Sequence, residues 1–147
     1  MNLADERFSF EKIQTFEAGQ WIFTEGEEHR DLYIIQSGEA EIVKNTSAGE
    51  IRLAVFKKGD FFGDMALLQG GRRMAGARAK SAVRVLILQP GGFLLKIRRD
   101  PTFAFEMLQQ LSQRVKIANE RMLELIQRGK ISQEVAQEIM NEMSGRL

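Results

Sequence analysis

Short apolar runs alternate with turn-forming residues through the middle of the chain. Six runs rich in branched and aromatic side chains are three to six residues long, which is typical of strands rather than helices. Eleven of the 13 glycines lie between Gly19 and Gly92, where they punctuate these runs. We therefore predict six strands, at Trp21–Phe23, Leu32–Gln36, Ala40–Lys44, Ile51–Phe56, Ala75–Ala79 and Val83–Leu88. Closely spaced short strands favour an antiparallel sandwich or barrel. Strands and helices do not alternate along the chain, which argues against a doubly wound sheet.

The hydrophobic period becomes helical after residue 100. Asp100 suits an N-cap, Pro101 suits the first helical position, and Gly129 is a plausible stop after Arg128. One apolar residue recurs at spacings of four and three, through Ala104, Leu108, Leu111, Val115, Ala118, Met122 and Leu125. A helix of roughly 40 Å overhangs a small barrel. We therefore favour a homodimeric coiled-coil seam along helix 101–128 over packing on its own barrel alone.

A second, shorter helix is predicted from Ser132 to about Met143. Ser132 suits its N-cap, and Val135, Ile139 and Met143 give it one apolar face. We expect one domain over residues 1–128, including the long helix, and a short helical tail over residues 129–147.

The composition, with 44% hydrophobic and 28% charged residues, is that of an ordinary globular protein. There is no cysteine, and the single histidine, His29, lies in a polar turn where we expect an exposed side chain. No apolar run is long enough to cross a membrane and no signal pattern opens the chain, so we expect a cytoplasmic protein without membrane contact. Since the sequence contains no Walker loop, GxGxxG or HExxH motif, we expect that the protein is not an enzyme.

Charge is distributed unevenly along the chain. The net charge is −6 over residues 1–56, +8 over residues 57–99 and −1 over residues 100–147. A basic middle favours an anionic ligand. It is equally compatible with a solvated basic face that pairs with the acidic N-terminal third.

The stretch from Phe61 to Ala79 carries the most chemistry. Gly63 lets the backbone approach a ligand closely, and residues 64–67 can begin a short helix whose free N–H groups favour an anion. Arg73 lies nine residues after Asp64 and can hold phosphate oxygens bidentately, whereas Asp64 can accept a hydrogen bond from a ligand hydroxyl. Phosphate and hydroxyl together suggest a nucleotide with a ribose. The alternatives are a surface ion pair for Arg73 and an N-cap role for Asp64, with the two side chains simply paired.

This stretch resembles the phosphate-binding cassette of cyclic nucleotide-binding domains. The similar residues are Phe62-Gly63-Asp64-Met65-Ala66-Leu67 and Arg73. Residues 19–26, 32–38 and 59–63 also resemble that family, which includes catabolite-activator-type regulators, protein kinase A regulatory subunits and cyclic-nucleotide-gated channels. The resemblance covers about residues 10–128. It implies a mainly β fold with α: an antiparallel β-barrel, double-stranded β-helix or jelly-roll-like, flanked by N-terminal and long C-terminal helices.

The resemblance also implies residue roles. Arg73 would bind the cyclic phosphate, helped by backbone groups of Gly63, Met65 and Ala66, and Asp64 would bind the ribose 2′-hydroxyl. The adjoining Phe62, Met74 and Ala75 belong to the same implied ligand-binding set. Ile42, Leu53 and Ala54 would line the apolar side. On the long helix, Ala118 and Asn119 would cover the base and Arg114 would reach Asp64.

Two departures from the family pattern bear on the ligand. Asp64 is one methylene shorter than the family's Glu, and Met74-Ala75-Gly76 stands where many members carry a hydroxyl. The missing hydroxyl favours cyclic AMP, with cyclic GMP as the second possibility. No cofactor or metal is implied. Because only 19 residues follow Arg128, we expect no direct DNA binding and an unknown protein partner. The alternative function is a dimerisation or interaction module that has lost nucleotide binding.

Overall fold

Two four-stranded antiparallel sheets form the first part of the protein in the computed structural model, which describes residues 11–143. The chain divides into two units between Ala104 and Phe105. The first unit holds both sheets, and the second holds most of the long helix and the helix that follows it. The domain boundary predicted at residue 128 stays a prediction.

The elements follow one another as short strands and then helices. In chain order they are β1 Glu11–Phe16, β2 Trp21–Phe23, β3 Leu32–Ser37, β4 Ala40–Thr46, β5 Gly49–Phe56, β6 Phe61–Phe62, α1 Asp64–Gln69, β7 Gly76–Ala79, β8 Val83–Leu88, α2 Pro90–Arg99, α3 Pro101–Gln127 and α4 Gln133–Met143.

One sheet has the strand order β1-β8-β3-β6 and the other β2-β7-β4-β5, a jelly-roll-like pair that does not close into a continuous barrel. Their facing residues form the core, in which the Tyr33 and Phe62 rings stack 5.2 Å apart and Phe56 stacks on Phe62 at 6.0 Å. Burial of each large apolar side chain contributes roughly 1.5–3 kcal/mol. The core therefore fixes the ends of β3 and β6, which lead into the candidate site.

The predicted mainly β fold, with its six strands and long C-terminal helix, is confirmed, and three elements were missed. In β1, Ile13 is 50% exposed whereas Gln14 is partly buried, so the burial pattern of the strand does not follow its apolar and polar residues. Strand β6 has only two residues. Helix α2 begins with Pro90-Gly91-Gly92, which is typical of a turn; it forms because Pro is tolerated at N1 and Phe93 is buried. The predicted N-terminal helix would lie before residue 11, outside the described residues, which begin with β1.

The predicted helix boundaries are confirmed by their caps. The Asp100 carboxylate accepts the Phe103 N–H at 3.2 Å, and the Ser132 hydroxyl accepts the Val135 N–H at 3.1 Å. At the end of α3, Gly129 has φ +71°, its N–H donates to Ile126 O, and the Lys130 N–H donates to Leu125 O. This pair of bonds is a Schellman motif, which ends the helix where the sequence placed the stop.

Gly38, between β3 and β4, offers a test of the packing between the sheets. It has φ +81°, and a Cβ there would lie 2.0 Å from Ala82 O. We expect Gly38→Ala to lower the free energy of unfolding by more than about 3 kcal/mol, because backbone strain of about 1–2 kcal/mol adds to a backbone clash. The measurement is the urea unfolding midpoint.

Gly49→Ala is the matched control. Gly49 also has positive φ, at +103°, but a Cβ there meets nothing within 4 Å. It should show only the strain of about 1–2 kcal/mol. Equal losses in the two variants would contradict the proposed clash.

Candidate functional site

Residues 62–75, which we call the cassette, run from β6 through α1 to the start of β7. Gly63 is the N-cap of α1 with φ +87°, a conformation that favours glycine. A Cβ on Gly63 would lie 2.8 Å from Asp31 O and 3.0 Å from the Arg73 Nη1 atom. Both the φ value and the lack of space therefore require glycine here. Because the N-cap is Gly63, the alternative N-cap role for Asp64 was wrong.

The loop between β2 and β3, residues 24–31, is bonded to the cassette through the backbone. The Gly26 N–H donates to Arg73 O at 2.8 Å, and the Arg73 N–H donates to Glu27 O at 2.9 Å. These reciprocal bonds act like a short ladder between two loops. They fix the position of the Arg73 Cα relative to the β2–β3 loop.

Arg30 of the same loop holds α1. Its Nε donates to Ala66 O at 3.2 Å and its Nη2 donates to Leu67 O at 2.6 Å. Ala66 O also accepts the Gly70 N–H, and carbonyls near the end of a short helix carry partial negative charge, so a guanidinium stabilises this end of α1. Arg30 thereby ties the position of α1 to the β2–β3 loop.

The Arg73 side chain points into the protein and is only 4% exposed. Its Nη1 donates to Gly63 O at 3.0 Å, and its Nη2 donates to Asp31 O at 2.7 Å and to His29 Nδ1 at 3.0 Å. The guanidinium carbon lies 4.3 Å from the centre of the Phe23 ring, a cation–π distance. Among the described residues, the buried Arg73 Nε has no hydrogen-bond partner.

Three other basic side chains of the basic segment pair with carboxylates. Arg72 bonds Glu28 at 2.8 Å, Arg78 bonds Glu41 at 2.7 Å, and Lys80 bonds Glu39 at 3.1 Å. For these side chains, pairing with the acidic part of the chain accounts for the charge. Arg73 differs, because its three hydrogen-bond acceptors are two carbonyls and an imidazole. The alternative of a surface ion pair for Arg73 was therefore wrong.

Burial lowers the pKa of Arg73, while nearby Tyr33 and the carboxylates of Asp31, Glu27 and Asp64 act in the opposite direction. A guanidinium nevertheless stays charged in proteins. Burial also raises the pKa of Tyr33 to about 12, and the Asp31 charge adds to that effect. The site therefore holds a buried cation beside a neutral phenol, an arrangement in which a bound anion is favourable.

The apolar residues implied for the ligand site meet on the second sheet. Ile42 of β4 pairs with Ala54 of β5 on one side and with Ala77 of β7 on the other. The register shifts after Ile42, so that Leu53 is an extra residue in a β-bulge and is 54% exposed. The structure thus brings Ile42 and Ala54 together.

Within the cassette the predicted residues differ in exposure. Phe62, Ala66 and Ala75 are buried, Asp64 is partly buried, and Met65 and Met74 are more than half exposed. Arg114, Ala118 and Asn119 lie on α3 in the second unit, and all three are partly buried. Their predicted roles stay predictions.

A cavity of about 360 Å³ opens in the first unit near β1. It is lined by Glu11, Lys12, Gln14, Phe16, Ile22, Asp31, Tyr33, Ile87 and Gln89. Two of these residues also approach Arg73, since Asp31 O accepts its hydrogen bond and the Tyr33 ring centre lies 5.9 Å from the guanidinium carbon. None of the predicted ligand-binding residues lines this cavity.

His29, Arg30 and Asp31 were missed as site residues. The prediction of an exposed histidine was wrong, because the His29 side chain is 27% exposed and contacts Arg73. The segment contains five charged residues among the seven from Glu25 to Asp31, which is typical of a solvated turn. The backbone pairing with the cassette and the side-chain hydrogen bonds of His29 and Arg30 hold it against the site.

The chain belongs to the cyclic nucleotide-binding domain family, whose model matches residues 13–100. The matched range contains both sheets from Ile13, the cassette and the β2–β3 loop. The family that the sequence resembles is thus confirmed.

Two curated relatives and one solved structure illustrate the similarity. A cAMP-dependent protein kinase regulatory subunit from Yarrowia lipolytica is 40% identical over 80 residues, which are 54% of this chain and 21% of the relative. The cyclic AMP receptor protein of Thermus thermophilus is 31% identical over 116 residues, 78% of this chain and 54% of the relative. The crystal structure of the Thermus thermophilus catabolite activator protein shares the fold with a TM-score of 0.67 at 23% identity, covering 92% of this chain and 79% of that one. This chain thus spans about a fifth and about half of the two curated relatives.

Residues 11–143 include no helix that is long and apolar enough to cross a membrane. Over the same range, no group of three or more His, Cys, Asp or Glu side chains is arranged to hold a metal ion.

The hydrogen bonds from Arg30 to α1 yield a testable prediction. We expect Arg30→Ala to speed hydrogen exchange at the Gly70 amide, which donates to Ala66 O, by several-fold. The reason is the loss of hydrogen bonds from a charged donor, worth about 1 kcal/mol or more. The measurement is native-state exchange followed by NMR.

Arg84→Ala is the control, because Arg84 lies on β8 and is exposed. It should leave exchange at Gly70 unchanged. Unchanged exchange in Arg30→Ala as well would show that α1 does not depend on the β2–β3 loop.

Proposed function

We propose that this protein is a cyclic AMP sensor whose cassette binds the nucleotide and whose C-terminal helices relay the binding. The observation that carries the proposal is the Arg73 guanidinium, which is 4% exposed and bonded only to uncharged acceptors. A buried cation without a bonded carboxylate favours an anion at the same place. The family membership supports a cyclic phosphate as that anion.

The hydrogen-bond inventory of Arg73 fits a phosphate ligand. A guanidinium has five N–H hydrogens, and three hydrogen bonds are formed here. The unpartnered Nε is a donor that phosphate oxygens could satisfy. Because the side chain is almost completely covered, binding requires it or the cassette to shift. Such a shift would pass directly to the β2–β3 loop and to α1.

The remaining roles follow the family pattern. Asp64 binds the ribose 2′-hydroxyl, and backbone groups of Gly63, Met65 and Ala66 bind the phosphate. The other members of the proposed site are Phe62, Met74 and Ala75 beside the phosphate, Ile42, Leu53 and Ala54 on the apolar side, and Arg114, Ala118 and Asn119 on α3.

Cyclic AMP is favoured over cyclic GMP as the ligand. Gly76 and its neighbours Met74 and Ala75 offer no side-chain hydroxyl at the start of β7. The curated relatives quoted above are named for cyclic AMP. We also propose a regulatory rather than a catalytic role, because the proposed site consists of groups that bind and position a ligand.

The relay is proposed to be a two-state shift. A ligand changes such an equilibrium only if it binds one state better than the other. We propose that the ordered cassette and one position of α3 form the favoured state, and that a homodimer through helix 101–128 passes the change to a protein partner. Leu108 and Val115 of the heptad stripe are 63% and 55% exposed, which leaves apolar surface for a second copy.

The competing function is an interaction module without nucleotide binding. It is favoured by Asp64 in place of a longer acid and by the three protein acceptors that already hold Arg73. Titration with the nucleotide separates the two functions.

We expect saturable cyclic AMP binding in calorimetry, lost in Arg73→Ala. Loss of the buried donor should weaken binding at least a hundredfold, since hydrogen bonds between charged partners contribute about 1.5–3 kcal/mol each and Arg73 can form two. The protein is unfolded and refolded before titration to remove any ligand carried through purification. Cyclic GMP is expected to bind more weakly.

Two further variants serve as controls for this titration. Arg73→Lys keeps the positive charge, and circular dichroism shows whether each variant folds. Arg84→Ala, at an exposed arginine, should bind like the parent protein. If well-folded parent protein gives no saturable heat, nucleotide binding is excluded and the interaction module remains.

The dimer is tested by sedimentation. We expect the protein to be a dimer at micromolar concentration, and Leu108→Lys with Val115→Lys to give monomers, because two buried charges per helix oppose an apolar seam. Leu123→Lys is the control, since Leu123 is 56% exposed but lies off the stripe. A parent protein that stays monomeric at high concentration would exclude the seam.

A further inference from the structure

His29 lies among charged groups that compete for its proton. Its Nδ1 is 3.0 Å from the Arg73 Nη2 atom, its Nε2 is 3.2 Å from a Glu27 carboxylate oxygen, and its Nδ1 is 3.8 Å from an Asp31 carboxylate oxygen. The rings of Phe23 and Tyr33 pack edge-to-face against it at 5.6 and 6.3 Å. The imidazole is therefore held on one side by the core and on the other by its own loop.

The hydrogen bonds of His29 define one protonation state. Arg73 has only N–H donors, so Nδ1 must accept, and the proton of a neutral ring then sits on Nε2 beside Glu27. A doubly protonated ring would place an N–H and a positive charge against the guanidinium. The observed arrangement of Arg73 thus requires neutral His29.

We propose that His29 positions the phosphate arginine and that ligand binding at this site takes up a proton on His29. This inference rests on the proposed function. Neutral His29 occupies one Arg73 donor, and a phosphate must compete for that guanidinium. Once an anion offsets the Arg73 charge, protonated His29 keeps Glu27 and Asp31 as charge partners, gains the phosphate as a third, and no longer accepts the Arg73 hydrogen bond. Binding and protonation therefore favour each other.

The electrostatics of the unliganded site agree with this geometry. Burial and the Arg73 charge lower the pKa of His29, while the Asp31 and Glu27 carboxylates oppose them. An anion bound to Arg73 weakens the effect of the Arg73 charge on the pKa of His29. The coupling between the two binding events is reciprocal. If ligand binding raises the proton affinity of His29, protonation of His29 at low pH raises the ligand affinity by the same factor.

The test is calorimetric titration of cyclic AMP at pH 8.0, 6.5 and 5.5, with each pH measured in two buffers of different ionisation enthalpy. We expect affinity to rise about fivefold from pH 8.0 to pH 5.5, and the heat at pH 6.5 to depend on the buffer because a proton is taken up. His29→Asn is the comparison variant, since its amide oxygen can accept from Arg73 but cannot titrate. Its affinity should not change with pH, and its heat should not depend on the buffer.

The single histidine of the chain permits a direct readout. The His29 imidazole resonances of untagged protein, followed by NMR against pH, should titrate at a higher pH with saturating cyclic AMP than without it. In the unliganded protein, stability should fall as the pH drops below about 6.5, the ordinary histidine value, because the unfolded chain binds the proton first. His29→Asn should lose less stability over the same range.

The outcomes separate the two claims. Saturable binding with the same pH profile in the parent protein and in His29→Asn, or weaker binding at low pH, overturns the role of His29 and leaves the sensor intact. No saturable heat at any pH overturns the sensor and this inference together.

Discussion

The burial of one positive charge is the constraint on which the site depends. The guanidinium of Arg73 is buried against three uncharged hydrogen-bond acceptors and one aromatic ring, and it bonds no carboxylate. Removing a guanidinium from water is costly unless its hydrogen bonds and charge are satisfied. Two backbone carbonyls, of Gly63 and Asp31, satisfy part of that demand without cancelling the charge. The protein thus keeps a positive potential at a fixed place, where neighbouring basic residues have been neutralised by acidic partners.

That arrangement depends on how the two sheets bring separate segments together. Gly63 and Asp31 lie 32 positions apart in the chain, yet the pairing of β3 with β6 makes them neighbours. The β2–β3 loop then bonds the cassette at Arg73 through the backbone and at α1 through Arg30. A change at Arg73 consequently affects both the loop and the short helix. This coupling of the proposed ligand site to the surrounding backbone is what the proposed relay requires.

The same loop gives the site a titratable neighbour. His29 contacts Arg73 through a nitrogen that must be unprotonated. The carboxylates of Glu27 and Asp31 lie close enough to stabilise a protonated His29. A cation, a neutral base and two acids within hydrogen-bond or ion-pair distance form a network whose state depends on any further anion. The proposed nucleotide site and the proposed proton site therefore share the same charged groups.

The sequence by itself determined the fold class, the six predicted strands, the helix caps at Asp100, Ser132 and Gly129, and the cassette motif. These features follow from local rules: side-chain period, turn residues and capping chemistry act within a few positions. Tertiary structure alone decided that Arg73 is buried, that His29 contacts it and that a bulge exposes Leu53. The contacts of Arg73 and His29 depend on loop pairing between segments far apart in the chain, and the exposure of Leu53 depends on the register of β5 against β4. The charged β2–β3 loop is therefore predicted from its sequence to be exposed to solvent, whereas the fold packs it against the candidate site.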